Sequence, residues 1–463
     1  MLKIFNSFTR KKEEFKPIKE GHVKMYTCGP TVYLYAHIGN FRAYVFEDVL
    51  RRYLKFKGFK VTQVMNITDV DDKTIRDSQA QKKSLKEFTE FYTKAFFEDI
   101  KKLNIEEAEY YPKATDHIKE MVALIQKLLD KGFAYKSEDG SIYFKVSKFP
   151  NYGNLAHMKI EELKVGNRVK HDEYEKESVS DFALWKAWDK NDGNVFWETE
   201  LGKGRPGWHI ECSAMSMKYL GETFDIHTGG IDNLFPHHEN EVAQAEAATG
   251  KKFVNYWMHC EHLLVENKKM SKSLGNFYTL RDLLEKEIKA NAIRFLLLST
   301  HYKQQLNFNF AGLEASKNAV QRLNDFALML KNVSEEGTLT EGVRGIVDNS
   351  GQEFVDAMDD DLNISQALAV VFDMMKKINK VEDLNIDSAA FVYGQLLKFD
   401  SILGVLDTEE KVLDEDIQKM IDEREHARLN KEYDKADMIR DMLKEKGIIL
   451  EDTADGIRWK RVS

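Results

Sequence analysis

Between residues 23 and 65 the hydrophobic period changes from that of a strand to that of a helix and back, and this restricts the fold more than any other feature of the chain. Val23-Lys24-Met25-Tyr26-Thr27-Cys28 alternates like a strand and runs into the turn pair Gly29-Pro30. A helical stretch follows from about Phe41 to Phe56, with Val45, Val49 and Leu50 on one side and Arg51, Arg52 and Lys55 nearby. Lys60 to Met65 reads as the next strand, ending at Asn66-Ile67-Thr68-Asp69. Parallel neighbours need a crossover connection, and a helix supplies it. Strand, loop, helix, strand is therefore the unit of a nucleotide-binding parallel sheet.

The chain has 463 residues, too many for one core, so several domains are expected. The expected fold class is α/β. A Rossmann-type parallel-sheet catalytic domain, interrupted by an insertion, precedes an α-helical bundle and a small α+β C-terminal domain. Residues 1–110 and 206–260 form the two halves of the sheet domain, with the sheet pattern resuming near 208. Residues 111–205 form the insertion, with a hairpin from Tyr135 to Val146 around Asp139-Gly140 and a charged, solvated stretch at His171–Lys176. Residues 261–305 connect to a bundle at 306–408. There Leu313, Val320, Leu323, Ala327 and Leu330 keep helical spacing, as do Leu368, Val371, Met375 and Ile378. Asn363 and Gln366 have the spacing of a capping box. Residues 409–463 read as one charged helix from about Asp414 to Lys446, then a hairpin of Ile448–Glu451 and Ile457–Val462 about Asp455-Gly456.

Composition excludes little, but it does exclude a membrane helix: no run of 18 apolar residues occurs, and mean hydropathy is −0.49. The first residues lack the apolar core of a signal peptide, so a cytoplasmic protein is expected. The three cysteines, at 28, 212 and 260, are few and odd in number. That suits a reducing compartment, with thiols as metal ligands or core fillers. A net charge of −9 argues against a broad basic footprint but leaves room for a local one.

Two motifs point to a nucleotide. His37-Ile38-Gly39-Asn40 stands where the first strand gives way to the helix, and free N–H groups and the helix dipole favour phosphate there. Gly39 lets an adenine or ribose approach the backbone, while His37 and Asn40 are donors for phosphate oxygens. Lys269-Met270-Ser271-Lys272-Ser273, followed by Gly275-Asn276, suits a loop closing on the β- and γ-phosphates. Alone, each motif reads more readily as a helix-start histidine or a solvated lysine loop. In this order across an α/β pattern they form two sides of one grip.

A third constellation has metal-binding chemistry. Cys28 ends the first strand, Cys212 follows Gly207-Trp208-His209-Ile210-Glu211, and Pro236-His237-His238-Glu239-Asn240-Glu241 opens a helix. His237 and Glu241, four apart, face the same way. Two thiolates, an imidazole and a carboxylate make a tetrahedral zinc set. There is no Cys-x-x-Cys, however. A His238–Glu241 pair, buried structural cysteines and a closed structural zinc all remain compatible with the spacing.

These segments together carry a resemblance. The motifs at 37–40 and 269–273 are similar to the signatures of class I aminoacyl-tRNA synthetases, with Asn40 in place of the commoner second histidine. Tyr26–Tyr33, Asn66–Lys73, Gly207–Met215, Phe235–Glu241, Met358–Asp361 and the tail Glu451-Asp452-Thr453 resemble the cysteinyl-tRNA synthetase family, nearly end to end. The resemblance implies a cysteine–tRNA ligase: L-cysteine is activated by ATP to cysteinyl-adenylate and passed to the terminal adenosine of tRNA(Cys). It implies one Zn2+ per chain on Cys28, Cys212, His237 and Glu241, selecting the substrate thiolate, with Mg2+ accompanying ATP. Thr68 and Trp208 would border the cysteine pocket. His37, Gly39, Asn40, Lys269 and Lys272 would hold ATP, with His37, Asn40 and Lys272 stabilising the reaction. Asp232, after Gly229-Gly230 at a sheet edge, would take the ATP ribose. The bundle and the last domain would read the anticodon, with Arg458, Trp459, Lys460 and Arg461 suited to unpaired bases. Asp359–Asp361 would stabilise a helix start, Cys260 would pack, and the protein would be a monomer. Two other readings stay open: a ligase joining activated cysteine to an amino sugar, and a non-catalytic paralogue that binds tRNA or cysteine.

Overall fold

The computed structural model describes residues 1–158, 181–271, 274–407, 415–445, 448–453 and 456–461. The charged stretch His171–Lys176 lies outside them. The chain divides into two units, Met1–Leu406 and Asp407–Ser463.

A four-stranded parallel sheet organises the first unit. We number its elements β1 (His22–Thr27), α1 (Ile38–Phe56), β2 (Lys60–Met65), α2 (Trp208–Leu220), β3 (Phe224–Gly230), α3 (Glu239–Thr249) and β4 (Val254–Cys260). The strand order is β4-β3-β1-β2, and all three pairings are parallel. The chain leaves β1 through α1 to β2 on one side and later returns as β3 on the other. The carboxyl ends of β1 and β3 therefore flank the crevice where such sheets bind ligands. The sheet does not resume at 208 as expected. That stretch begins α2, with Gly207 as its N-cap, and β3 starts only at Phe224.

α1 closes its own first turn with a capping box: the His37 side chain accepts from the Asn40 amide, and the Asn40 side chain accepts from the His37 amide. Its buried face carries Phe41, Val45, Val49 and Leu50 into the core. The insertion is a five-stranded antiparallel sheet that includes the anticipated hairpin, Ala134–Lys136 against Ile142–Phe144. A three-stranded sheet of Leu263–Val265, Lys268–Lys269 and Leu306–Phe308 then carries the lysine loop.

Helices Ala290–Leu298, Phe310–Lys331, Glu341–Asp359, Ile364–Ile378 and Ile386–Leu403 follow. Their apolar faces join the sheet core without a break, from Val45 and Leu50 through Leu297 and Leu323 to Val371 and Leu396. Two buried arginines cross this junction. Arg42 of α1 donates to the carbonyl of Leu297, in the last turn of the helix Ala290–Leu298, and to those of Thr300 and His301 just beyond it. Arg294 donates to the carbonyls of Leu403, Leu103 and Asn104 and pairs with Asp48 of α1.

Asp359–Asp361 does not stabilise a helix start. Asp359 ends the helix Glu341–Asp359, and Asn363 caps the next one by accepting from the Gln366 amide. The three carboxylates instead strap distant segments together. Asp359 accepts from Tyr53 and pairs with Lys57, Asp360 pairs with Lys12, and Asp361 accepts from Tyr302 and the Phe5 amide.

The second unit is two helices, Glu415–Leu429 and Tyr433–Glu445, with an antiparallel hairpin of Ile448–Thr453 and Gly456–Arg461. The single charged helix expected here is broken at Asn430–Glu432, where Lys431 takes a φ of 61°. Ile421, Ile439, Leu443 and Ile448 make a small core. The side chains of Arg458, Trp459, Lys460 and Arg461 lie outside the described residues.

Replacing Arg294 by Met should leave Asp48 and three carbonyls without their buried donor. Urea denaturation should then show a loss of about 3–5 kcal/mol; a loss under about 1 kcal/mol would refute the junction's dependence on this side chain.

Candidate metal and nucleotide site

β1 and β3 end side by side, and the Cys28 amide donates to the Thr228 carbonyl at 3.4 Å. This ties Cys28 to the base of the crevice. Cys212 arrives on α2. The start of α2 is set by Gly207, where an added Cβ would lie 2.1 Å from the Ala183 carbonyl oxygen, so only glycine lets the helix begin this close to the insertion sheet. His237 and Glu241 come from the segment after β3. There a turn containing an extended Phe235 (φ −142°, ψ 132°) delays the helix, and α3 begins only at Glu239. Pro236 therefore stands ahead of the helix rather than within its first turn.

One donor atom each from Cys28, Cys212, His237 and Glu241 lie within 4.8 Å of one another. The remaining atoms of these ligands are held from behind. His237 Nδ1 lies 2.9 Å from His209 Nδ1, leaving Nε2 to face Glu241 Oε1 at 3.2 Å. Glu241 Oε2 takes His227 Nε2 at 3.0 Å, and its Oε1 is buried without a hydrogen bond. His238 Nε2 lies 3.2 Å from Cys28 Sγ, and its Nδ1 lies 2.8 Å from His259 Nε2. A second quartet, Cys28, His227, His238 and Glu241, is equally compact. Its imidazoles are already engaged with Glu241, Cys28 and His259, and it offers one thiol rather than two. The donors of the first quartet therefore suit a soft divalent ion better.

Burial, and next the Cys212 thiol, pushes the Cys28 thiol well up; burial also raises Cys212. Burial raises Glu241 to about 8 against the opposing pull of His237, and lowers His237 to about 3. A divalent cation would favour the thiolates and the carboxylate that burial disfavours.

The nucleotide motifs face each other above. His37 Nδ1 accepts from the Asn40 amide at 3.1 Å, so its proton sits on Nε2 and that nitrogen remains a donor. Asn40 Oδ1 accepts from the His37 amide at 3.1 Å, which leaves only the Nδ2 hydrogens of that side chain to donate outward. Burial lowers His37 to about 4, while the charge of Asp232 opposes the shift. His37 is thus a neutral donor at pH 7. The strand β3 that leads to Asp232 is interior to the sheet, and Asp232 stands exposed in the turn Ile231–Asn233 at its carboxyl end.

An added Cβ on Gly39 would meet the His37 ring at 3.0 Å and Met270 Cε at 3.2 Å, so glycine admits the lysine loop. The Ile38 amide donates to the Tyr278 carbonyl at 3.0 Å, and Phe277 meets the His37 ring edge-on at 5.3 Å. Asn276 braces the loop, accepting from the Ser271 amide at 2.9 Å and donating to the Lys269 carbonyl at 3.2 Å. Lys269 is exposed; Lys272 and Ser273 lie outside the described residues.

Thr68 is buried beside the crevice, and Trp208, 41% exposed, stacks on His237 with ring centroids 4.2 Å apart. Sequence reasoning assigned no role to His227, His259, Asn66 or Glu211. A signal existed for His227: an interior parallel strand should be almost wholly apolar, yet β3 reads Asp225, His227 and Thr228 within it. Cys260 packs in the main core, with its Sγ 3.8 Å from the Arg42 carbonyl oxygen.

A catalytic sheet split by an insertion, with both grips at its carboxyl edge, is the architecture of a class I aminoacyl-tRNA synthetase. Residues 14–318 match the model of the tRNA synthetases class I (C) catalytic domain, and residues 353–407 match the DALR domain. The fold is similar to the methionyl-tRNA synthetase of Mycobacterium tuberculosis, with a TM-score of 0.60, 14% identity, and coverage of 83% of this chain and 90% of that one. The sequence is 54% identical to the cysteine–tRNA ligase of Protochlamydia amoebophila, over 99% of this chain and 98% of the relative. It is 52% identical to that of Brachyspira hyodysenteriae, over 99% of each. The chain belongs to the cysteine–tRNA ligase family and is an aminoacyl-tRNA synthetase.

The His37 shift has a pH consequence. Its folded value, about 4, lies below the ordinary 6.5, so the neutral ring's contribution to stability is full above 6.5 and declines as pH falls toward 4. Ring 15N shifts should show a neutral, Nε2-protonated imidazole from pH 8 to 5; titration near 6.5 would contradict the burial argument.

Proposed function

We propose that this enzyme charges tRNA(Cys) with L-cysteine in two steps, through cysteinyl-adenylate. The observation that carries the reading is the convergence of Cys28, Cys212, His237 and Glu241 beside a nucleotide crevice, in a chain that aligns end to end with cysteine–tRNA ligases. That alignment and the DALR match over 353–407 favour tRNA over an amino sugar as acceptor. The paired nucleotide motifs favour an active enzyme over a non-catalytic paralogue.

Cys28, Cys212, His237 and Glu241 would hold one zinc ion. Bound there, zinc offers the substrate thiolate a soft ligand position, whereas an apolar pocket separates cysteine from serine or alanine by only about 1–3 kcal/mol. Trp208, stacked on His237, covers the amino acid, and Thr68 lines its other side. His37 donates from Nε2 to the ATP phosphates as a neutral group. Asn40 donates from Nδ2, and Lys269 and Lys272 supply positive charge from the opposite loop, with Mg2+ accompanying ATP. Gly39 leaves room for the nucleoside, and Asp232 takes the ribose.

The cysteine carboxylate attacks the α-phosphate and pyrophosphate leaves. The terminal ribose hydroxyl of the tRNA then takes the acyl group. The protein contributes position and preorganised donors, since the phosphoryl step needs little covalent help. Segments 1–110 and 206–260 would perform activation, 111–205 and 261–305 would meet the acceptor end, and 306–408 with 409–463 would read the anticodon. A monomer suffices for each of these roles.

Purified protein should contain about one zinc per chain and exchange pyrophosphate into ATP with cysteine but not serine. Equal exchange with serine would refute selection at the metal. Cys212→Ser should lose both zinc and cysteine activation, and retained activation in a metal-free variant would remove the metal from the mechanism.

A further inference from the structure

Glu211 is the buried group of the crevice that the proposed mechanism leaves idle. It stands in the first turn of α2, one residue before Cys212, and is 1% exposed. Its Oε1 has no hydrogen-bond partner, and among the described residues it forms no ion pair. Its Oε2 accepts from Thr68 Oγ1 at 3.0 Å. A buried polar atom without a hydrogen bond is costly, so Oε1 calls for a partner.

The bonds behind Thr68 dictate which way its hydroxyl points. The Gly29 amide donates to Asn66 Oδ1 at 2.9 Å, which forces the Asn66 amide nitrogen toward Thr68, 3.1 Å away. Thr68 Oγ1 accepts that hydrogen, and its single proton is committed to Glu211. What remains on the hydroxyl is a lone pair. Thr68 can therefore accept from a substrate group but cannot donate to it. Of the three polar groups of cysteine, the thiol goes to the metal ligands and the carboxylate to the α-phosphate of ATP. The α-ammonium is the donor left over.

We propose that Glu211 is a positioning residue that makes the crevice selective for the α-ammonium of the substrate. It does so by holding Thr68 as an obligate acceptor. This rests on the cysteine-activating reading above. A methionine in its place keeps the length but removes the acceptor, freeing the hydroxyl proton to face the ammonium.

Glu211→Met is tested by pyrophosphate exchange, metal content and competition by 3-mercaptopropionate, which has cysteine's thiol and carboxylate but no amine. The variant should raise the KM for cysteine about 10- to 100-fold, with the KM for ATP and the metal content unchanged. Inhibition by 3-mercaptopropionate should stay within about twofold, and Glu211→Met should add no further loss in a Thr68→Val background. A cysteine KM close to wild type, equal losses for cysteine and the amine-free analogue, parallel loss of metal, or a multiplied loss in the double variant would each overturn the inference. If Glu211→Met does not fold, Glu211→Asp withdraws the acceptor by one methylene and is read the same way. No cysteine-dependent exchange by the wild-type chain would refute the underlying reading instead; normal wild-type exchange with any of those variant outcomes would refute only the role of Glu211.

Discussion

Parallel pairing of β1 with β3 is the constraint on which the site depends. The two strands are remote in sequence, and their register, Ile226 with Met25 and Thr228 with Thr27, brings Cys28 level with the residues that follow β3. The same pairing makes this the point where the chain's crossovers diverge, so the carboxyl ends open into a crevice rather than onto a closed edge. α1 starts at that crevice with His37 and runs back beneath the sheet to Asp48 and Arg52. Its N-terminus therefore faces the crevice while its far end is bound to the helical half through Arg294 and the carbonyls around it.

The buried polar groups differ from the apolar core in being arranged in satisfied chains. Ser7, His259, His238 and Cys28 form one chain; His227 and Glu241 form another; His209 and His237 form a third. Each ends on a residue of the proposed metal set, and the last two occupy the Glu241 and His237 atoms turned away from it. Such chains are stable only when complete, because an unpaired polar atom at this depth loses the full cost of its desolvation. Glu241 Oε1 and Glu211 Oε1 are among the buried side-chain atoms of the described residues that have no hydrogen bond.

Much of this was legible beforehand. The strand–helix–strand unit at 22–65 followed from periodicity, and the hairpin of the insertion followed from Asp139-Gly140, because both are local in origin. The position of α2 was misjudged because a helix this deeply buried lacks an amphipathic stripe: Ile210, Glu211, Cys212, Ser213, Ala214, Met215 and Ser216 are all buried. Asp359–Asp361 was misread for the opposite reason. Its carboxylates serve partners at residues 5, 12, 53, 57 and 302, and no local pattern announces contacts over such separations.

The sequence alone determined the residue types of the four donors, the two nucleotide motifs and the order of sheet, insertion and helices, since these depend on side-chain chemistry and local period. Only the tertiary structure decided which imidazole nitrogen of His237 is free, that His37 is a neutral donor, and that Thr68 is turned by Asn66 and Glu211 into an acceptor. Those properties belong to hydrogen bonds and burial formed between segments as much as two hundred residues apart. They arise only once the parallel strands have closed the chain on itself.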